Sequence, residues 1–382
     1  MTDVMDGRSD TPESESRIAL HELLETLREI DEQYLGSGRD GEDPDALAAG
    51  HRFLMHLLGG GLDLFFEADP ENPEFRPTLQ SGRKFYGDNP DAIYHSTLIR
   101  PELDYRISGK IEDAVYMSFT VEGGGGIDER YPPGRVIGTR NDSVLEIQAD
   151  GGYELIASQS PRSGNWLPLA PDACSIVTRH YFEGDEPVDR RRRIPLTIEV
   201  LRSSGATADT PPIPSGASVA CGIRRVRNFV RGLSLDYARN GPPLDLASAT
   251  PNRFSEPSVW HADTGQAAVD QSNLVAPFEL APDEALTIEG RFPRCRFGNI
   301  VLWNRHLQTF EYQRRRSSLN RRQTRLRPDG SFRVVVAHED PGTVNWLDTA
   351  GARTGLIFVR YLLPEEQPMA LTTRVVKRAD LH

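Results

Sequence analysis

The sequence contains two copies of one pattern, separated by about 180 residues. Four landmarks recur in the same order: Tyr105-Arg-Ile-Ser-Gly with Leu286-Thr-Ile-Glu-Gly, Asn141 with Asn320, Asn165-Trp-Leu with Asn345-Trp-Leu, and Arg179 with Arg360. The offsets between paired landmarks differ by only two residues, from 179 to 181. A conserved order at nearly constant spacing indicates an internal duplication, which we place at residues 88–188 and 270–368.

Each copy has the pattern of an all-β unit. From Tyr94 onward, short runs rich in β-branched and aromatic residues are broken by Gly, Pro, Asn and Asp. The 33 glycines and 28 prolines of the chain suit such frequent turns. Predicted strands include 105–109, 114–121, 144–148, 153–158 and 175–182. We therefore expect a mainly β protein with helical additions, built from two homologous β-sandwich or jelly-roll-like units.

Helical patterns flank and separate these units. Apolar residues at helical spacing from Leu20 to Tyr34 predict one amphipathic helix, and a second begins at Asp43 and ends near Gly59. A third helix is predicted over 218–240. The resulting division is an acidic disordered tail (1–16), a helical N-terminal segment (17–87), a first β unit (88–200), a linker with a helical insertion (201–269) and a second β unit (270–382).

Charge and motifs exclude several classes of function. The net charge is −12, but residues 1–45 hold 14 acidic and 4 basic residues, so the remaining chain is nearly neutral. This balance argues against a nucleic-acid-binding protein. Apolar runs are too short for a membrane span, and three cysteines without CxxC spacing suit reduced thiols better than disulfides or zinc. We expect a cytoplasmic protein with no metal site and no cofactor, and leave a homo-oligomer open.

The segment Asp88-Asn-Pro-Asp-Ala-Ile-Tyr-His-Ser is the densest in reactive side chains. His95 is the first candidate for an acid/base group, with Asp91 as the carboxylate that orients it. If Ile93 faces the core, His95 shares its face and Tyr94 lies on the opposite one. His338 is a second candidate, because it follows a strand whose apolar face it would extend. The alternative is an Asx-Pro turn entering a strand, with histidines that serve packing only.

Other polar residues have equally plausible structural roles. Arg179 and Arg360 each share a strand face with apolar residues and so require a partner; we favour a structural clamp, with Asp172 or Asp348 as partner, over a site for an anionic substrate. The Asn-Trp-Leu motifs suit packing anchors at loop-to-strand junctions. The basic runs at 190–193 and 314–316 suit solvated faces or attraction to the acidic N-terminal segment.

The C-terminal hundred residues resemble the DUF1214 family. The resemblance rests on Leu286-Thr-Ile-Glu-Gly-Arg, Leu302-Trp-Asn-Arg, Ser318-Leu-Asn-Arg-Arg, Pro328-Asp-Gly-Ser and Val344-Asn-Trp-Leu. Residues 88–109 are similar to the N-terminal part of those proteins and, more loosely, of the DUF1254 group. The resemblance implies β-sandwich or jelly-roll domains and supplies no agreed reaction. Its polar positions fall on Asn89, Asp91, Tyr94, Asn304, Asn320, His338, Asn345, Trp346 and Arg360.

These observations leave three functions open. The first is a metal-independent enzyme that acts on a small or lipid-like hydroxylated metabolite in a cleft between the two β units, with His95 or His338 as acid/base. The second is a non-catalytic module that binds a lipid, steroid or carbohydrate. The third is a scaffold protein, suggested by the acidic helical N-terminus. An enzyme would convert small metabolites, a binding module would retain them unchanged, and a scaffold protein would do neither.

Overall fold

The computed structural model describes residues 14–36, 44–202, 213–237, 247–259, 262 and 267–381. Its α-helices are α1 (Glu15–Ile30), α2 (Pro44–Gly61) and α3 (Gly216–Arg231), and each continues into one π-helical turn. Residues 1–13 of the predicted tail and the predicted helix start at Asp43 lie outside the described residues. The third helix begins at Gly216, two residues before the predicted start, and its π-helical turn spans Gly232–Asp236; residues 238–240 of the prediction lie outside the described residues.

The acidic helix α1 packs on α3. Ser14 begins α1 by accepting a hydrogen bond from the backbone N–H of Arg17 at 3.3 Å, which satisfies one of the donors that a helix start leaves free. Glu22 forms ion pairs with Arg224 and Arg227 of α3. The acidic N-terminal segment is thus paired with α3, whereas the basic runs named above form ion pairs within the β units.

Two β units follow one another along the chain. The first contains β1 (Arg76–Pro77), β2 (Ala92–Leu98), β3 (Tyr105–Lys110), β4 (Tyr116–Gly123), β5 (Arg135–Asn141), β6 (Gly152–Ser158), β7 (Trp166–Pro168), β8 (Ala173–Tyr181) and β9 (Leu196–Val200). The second contains β10 (Ser258–Val259), β11 (Gln271–Glu279), β12 (Glu284–Gly290), β13 (Phe297–Trp303), β14 (Ser318–Asn320), β15 (Phe332–Ala337), β16 (Trp346–Asp348), β17 (Thr354–Leu362) and β18 (Thr372–Lys377).

The two units have the same topology, strand for strand. The five-stranded sheets are ordered β1-β2-β8-β4-β5 and β10-β11-β17-β13-β14, and the four-stranded sheets β7-β6-β3-β9 and β16-β15-β12-β18. In each unit the two sheets enclose one apolar core, as in a β-sandwich; Ile107 and Phe119 belong to the first core and Ile288 and Ile300 to the second. The predicted fold of two homologous β-sandwich units is confirmed.

One predicted strand is wrong, and the strand that lies near it was not predicted. Residues 144–148 form a turn and a loop, although their alternating pattern resembles that of a strand. The strand in this region is β5, whose sequence Arg-Val-Ile-Gly-Thr-Arg-Asn has few apolar residues. It pairs with β4 at the edge of its sheet, where backbone hydrogen bonds form without a strongly apolar face. Among the described helices, none is long and apolar enough to span a bilayer.

Candidate functional site

The outer faces of the two five-stranded sheets, which point away from the sandwich cores, meet each other. At their contact, side chains from both units form one apolar cluster of Ala92, Tyr116, Tyr181, Phe297 and Leu362. Tyr181 and Phe297 pack with their ring centroids 5.1 Å apart across this boundary. The β units are therefore held face to face at one end of these sheets.

A row of polar side chains crosses each outer face next to that cluster. Strand register places Tyr94, Arg179, Ser118 and Asn141 side by side in the first unit, and Thr78 donates its backbone N–H to Tyr94 at 2.9 Å beyond them. The same register places Ser258, Asn273, Arg360, Asn299 and Asn320 side by side in the second unit. We call these the first and second polar rows. Because sheet faces at a packed boundary are usually apolar, two complete polar rows require an explanation.

Part of the explanation is a reciprocal exchange of hydrogen bonds. Asp91, just before β2, accepts hydrogen bonds from Asn320 at 2.9 Å and Asn299 at 2.8 Å of the second unit. Asp270, just before β11, accepts from Tyr116 and from Asn141 (3.1 Å) of the first unit. Each unit thus presents a carboxylate to the polar row of the other, and this exchange joins the units.

Asp91 is buried at the centre of this network. Burial raises the pKa of its carboxyl group to about 6, against the opposing effect of the Asn299 and Asn320 amide donors. Asn89 places its amide oxygen 3.1 Å from the backbone nitrogen of Asp91 and 2.8 Å from Asn299 Nδ2. The Asn-Pro-Asp turn therefore holds Asp91 in place, and both carboxylate oxygens are engaged by amides.

Three side chains of the second polar row have polar atoms without a hydrogen-bond partner among the described residues. Asn273 is 0% exposed, and neither its amide oxygen nor its amide nitrogen has a hydrogen-bond partner among the described residues. The Ser258 hydroxyl and Arg360 Nε on either side also lack partners there. The Arg360 guanidinium lies 4.8 Å from the Phe358 ring centroid and donates from NH1 to Asn299 at 3.4 Å. These are unsatisfied donors and an unsatisfied acceptor in one buried place.

The candidate histidines lie away from the polar rows. His95 shares the core-side face of β2 with Ile93, as predicted, and its ring centroid lies 6.2 Å from that of His180. Desolvation lowers the pKa of His95 to about 4 and that of His180 to about 3. His95 has no hydrogen bond to Asp91, so the predicted orienting contact is absent. His338 follows β15 in the four-stranded sheet of the second unit and contacts Thr349 Oγ1 through Nδ1 at 2.7 Å.

The Asn-Trp motifs make the same contacts in both units. The amide nitrogen of Asn345 donates to the carbonyls of Arg325 (2.8 Å) and Arg333 (3.0 Å), and Trp346 Nε1 donates to Ala337. Asn165 bridges two backbone segments in the same manner. Asn304 stabilises a tight turn by accepting the backbone N–H of His306 at 2.9 Å. These hydrogen bonds hold loops in place. The three candidate residues Asn304, Asn345 and Trp346 therefore do not reach a polar row.

The expected partners of the two arginines are wrong. Asp172 pairs with Arg135, and Asp348 pairs with Arg315. Arg179 instead donates to Thr120 Oγ1 at 2.7 Å. Asn299 lies directly opposite Arg360 on the adjacent strand, whereas Thr120 lies diagonal to Arg179, two residues along the adjacent strand from Ser118, its register partner. Strand register sets both contacts, and spacing along the chain does not reveal it.

The structure thus brings Asn89, Asp91, Tyr94, Asn320 and Arg360 together and separates them from the rest of the candidate list. Sequence reasoning missed Asn273, Asn299 and Asp270. The duplication contained the missing signal, since adding the offset of 179 to Asp91 and Tyr94 gives Asp270 and Asn273. Among the described residues, no group of three His, Cys, Asp or Glu side chains is arranged to hold a metal ion.

The protein is thus built from two homologous β-sandwiches that are joined through the polar rows on their outer faces. Residues 270–366, which lie in the second unit, match the family described as "Protein of unknown function (DUF1214)". The resemblance found in the C-terminal sequence motifs is confirmed. No curated protein matches the chain.

Two solved structures are similar over most of the chain. An uncharacterized protein of Burkholderia cenocepacia is 28% identical, with a TM-score of 0.79, and the match covers 95% of this chain and 98% of that one. A protein of Vibrio parahaemolyticus is 11% identical, with a TM-score of 0.49, over 86% of this chain and 98% of that one. The first of these supports the full two-unit fold, and neither indicates a reaction.

Proposed function

We propose that the protein binds a small hydroxylated molecule between its two β units, at the second polar row. The observation that carries this proposal is the unpartnered amide of Asn273, flanked by the Ser258 hydroxyl and Arg360 Nε. A buried polar group without a partner costs about 1–3 kcal/mol, so three such neighbours favour a bound molecule that satisfies them. A hydroxyl group suits this place because it donates to the Asn273 oxygen and accepts from the nearby N–H groups.

The placement of titratable groups favours binding over turnover. His95 lies on the opposite face of its sheet, and His338 belongs to a different sheet. Asp91 has a pKa of about 6, suitable for acid/base chemistry, which keeps the enzyme hypothesis as the second candidate. Both of its oxygens, however, accept hydrogen bonds from Asn299 and Asn320, so neither is directed at a substrate.

The test combines a metabolite screen with two matched substitutions. The purified protein is incubated with a bacterial metabolite extract, separated from unbound material and denatured, and the released molecules are identified by mass spectrometry. Asn273→Leu should abolish retention without loss of thermal stability, because the amide has no protein partner to lose. Asn345→Leu should lower stability and leave affinity intact, because its amide clamps two backbone segments.

Three outcomes contradict the proposal. If the wild-type protein retains no molecule, water alone satisfies the second polar row. Equal affinity of wild-type and Asn273→Leu protein places the ligand elsewhere. If the wild-type protein consumes the retained molecule and Asp91→Asn does not, the protein is instead an enzyme.

A further inference from the structure

The two four-stranded sheets are the outermost layers of the protein. Each packs one face on its own sandwich core, and the five-stranded sheets between them meet each other. The remaining face of each four-stranded sheet, which we call its outward face, therefore points away from the other unit. Strand alternation places Glu154 and Glu199 on the first outward face, because Leu155 and Ile198 beside them pack in the core. The two outward faces thus lie on opposite sides of the molecule.

The first outward face carries three exposed glutamates and one arginine. Arg106 lies between Glu154 at 3.5 Å and Glu199 at 2.9 Å and forms ion pairs with both. Glu146, in the loop before β6, is exposed and has no ion pair among the described residues. Together with Gln148, the glutamates at 146 and 154 line a surface groove of about 440 Å³. We call the three glutamates and Gln148 the acidic face.

At the equivalent positions of the second unit the charge is reversed. The residues that replace Glu146, Gln148, Glu154 and Glu199 are Arg325, Arg327, Arg333 and Arg374, respectively. Glu289 lies among them and pairs with Arg327 at 2.8 Å and with Arg333 at 3.9 Å. Arg325 and Arg374 are exposed and have no ion pair in the part of the chain that the structure describes. We call these four residues the arginine face.

The equivalence of the two faces rests on matching backbone contacts. Glu146 donates its backbone N–H to the Asn165 amide oxygen at 2.8 Å, and Arg325 donates to the Asn345 amide oxygen at the same distance. Strand register and turn hydrogen bonds relate the remaining positions in the same way. The acidic and arginine faces therefore have one backbone geometry and opposite charge.

We propose that the protein associates head to tail with a second copy of itself, the arginine face of one copy lying against the acidic face of the next. Strand geometry gives the charges of both faces the same spacing, so several opposite charges meet at once. Within one molecule the faces lie on opposite sides and do not meet, whereas a second copy carries the matching surface. The association goes beyond the proposed ligand site, because the second polar row belongs to a five-stranded sheet.

The chemistry of the faces sets the strength and form of this association. Arginine pairs with carboxylates through two parallel hydrogen bonds, and the groove lined by Glu146 and Glu154 places two carboxylates near an incoming guanidinium group. Exposed ion pairs are individually weak and are screened by salt, so the association is reversible and depends on ionic strength. Because the two contacting surfaces differ, the contact repeats from copy to copy instead of closing at a dimer.

Sedimentation equilibrium of the full chain measures this association at about 20 mM and about 500 mM NaCl. We expect species larger than dimers at the lower salt concentration. The dissociation constant should be at least about tenfold larger at the higher salt concentration, because screening shortens the range of charge interactions. A wild-type protein that stays monomeric at about 200 µM in low salt would overturn the proposal.

An exchange of charges tests the pairing of the two faces. One variant carries Glu146→Arg and Glu199→Arg, and the other carries Arg325→Glu and Arg374→Glu. Each should stay monomeric where the wild-type protein associates, because like charges then face each other. An equimolar mixture should associate again, since each variant offers the complement of the other. Variants that merely fail to fold would not restore association on mixing.

The choice of residues limits effects on folding. The reversals at Glu146, Arg325 and Arg374 break no ion pair among the described residues. Glu146→Arg alone therefore remains informative if the change at Glu199, which is ion-paired, destabilises the sheet. Arg130→Glu makes the same charge change as Arg325→Glu in the exposed loop between β4 and β5, away from both faces. This control should leave the association unchanged.

Three further results would contradict the proposal. Association that persists in both double variants would place the contact on another surface. A mixture that stays monomeric, although each variant melts like the wild-type protein, would overturn the pairing of the two faces. Loss of association on deleting the acidic residues 2–13, with both faces unaltered, would assign the arginine face to the N-terminal residues instead.

Discussion

Asn320→Leu tests whether the reciprocal hydrogen bonds hold the two units together. The Asn320 amide nitrogen donates to Asp91 at 2.9 Å and to the Gly184 carbonyl at 3.0 Å, and its oxygen accepts the backbone N–H of Gln323 at 2.9 Å. Leucine has similar volume and replaces none of these contacts. The charged bond contributes about 1.5–3 kcal/mol and each neutral one about 1 kcal/mol, so we expect a loss of about 3–5 kcal/mol near neutral pH.

The loss should depend on pH with a definite sign. Burial raises the pKa of Asp91 from 3.8 to about 6, so the folded protein binds a proton here that the unfolded chain releases. The group therefore subtracts stability as pH rises from about 4 to above 6. Removing the Asn320 donor, which favours the ionised form, should raise this pKa further. The deficit of the variant should be smaller at pH 5 than at pH 7.5.

Urea unfolding of wild-type and Asn320→Leu protein at both pH values measures this deficit, and contributions common to the two proteins cancel. The matched control is Asn141→Leu at the equivalent position of the first unit. Its amide donates to Asp270 at a longer 3.1 Å and is only partly buried, so it should cost less. A deficit below about 1 kcal/mol, or one equal at pH 5 and 7.5, would refute the reasoning about a buried carboxylate between the units.

Three other changes test other parts of the molecule. The depressed pKa values of His95 and His180 make wild-type stability fall as pH drops from about 6.5 toward 4. His180→Phe should therefore be more stabilising at pH 4.5 than at pH 7.5, by about 2 kcal/mol. Equal effects at both pH values in urea unfolding would contradict this. Asn165→Ala and Asn345→Ala should each lower the thermal midpoint by similar amounts, and a clear difference between their melting curves would argue against equivalent clamps. Deleting residues 2–13 should shift the midpoint by less than about 4 °C, since this charged stretch has little apolar surface to offset its ordering entropy; a larger drop would show that it packs.

The order and spacing of residues along the chain were enough to predict the class of fold. The landmark offsets revealed two equivalent units, and period-two alternation correctly placed Ile93 and His95 on one face of β2 and Arg360 with Phe358 on one face of β17. These features are local, because side-chain direction along a strand alternates whatever the rest of the molecule does. The Asn-Trp motifs were expected to serve packing, but the backbone carbonyls that their Asn amides bind lie 11 to 20 positions away along the chain, so the turn chemistry of the motif did not predict these partners.

Which polar residues meet depends on how distant parts of the chain pack. Asp91 and Asn320 are 229 positions apart, and the pairing depends on how two sheets face each other across the unit boundary. His95 was the leading acid/base candidate because of its neighbours along the chain, yet packing of the two units gives both Asp91 oxygens to Asn299 and Asn320 and leaves His95 without a hydrogen bond to Asp91. The hydrogen bond between Ser175 and Glu122 likewise needs strand register, since these residues become neighbours only through pairing of β4 with β8. Hydrogen bonds between distant segments are set by packing, which no local pattern encodes.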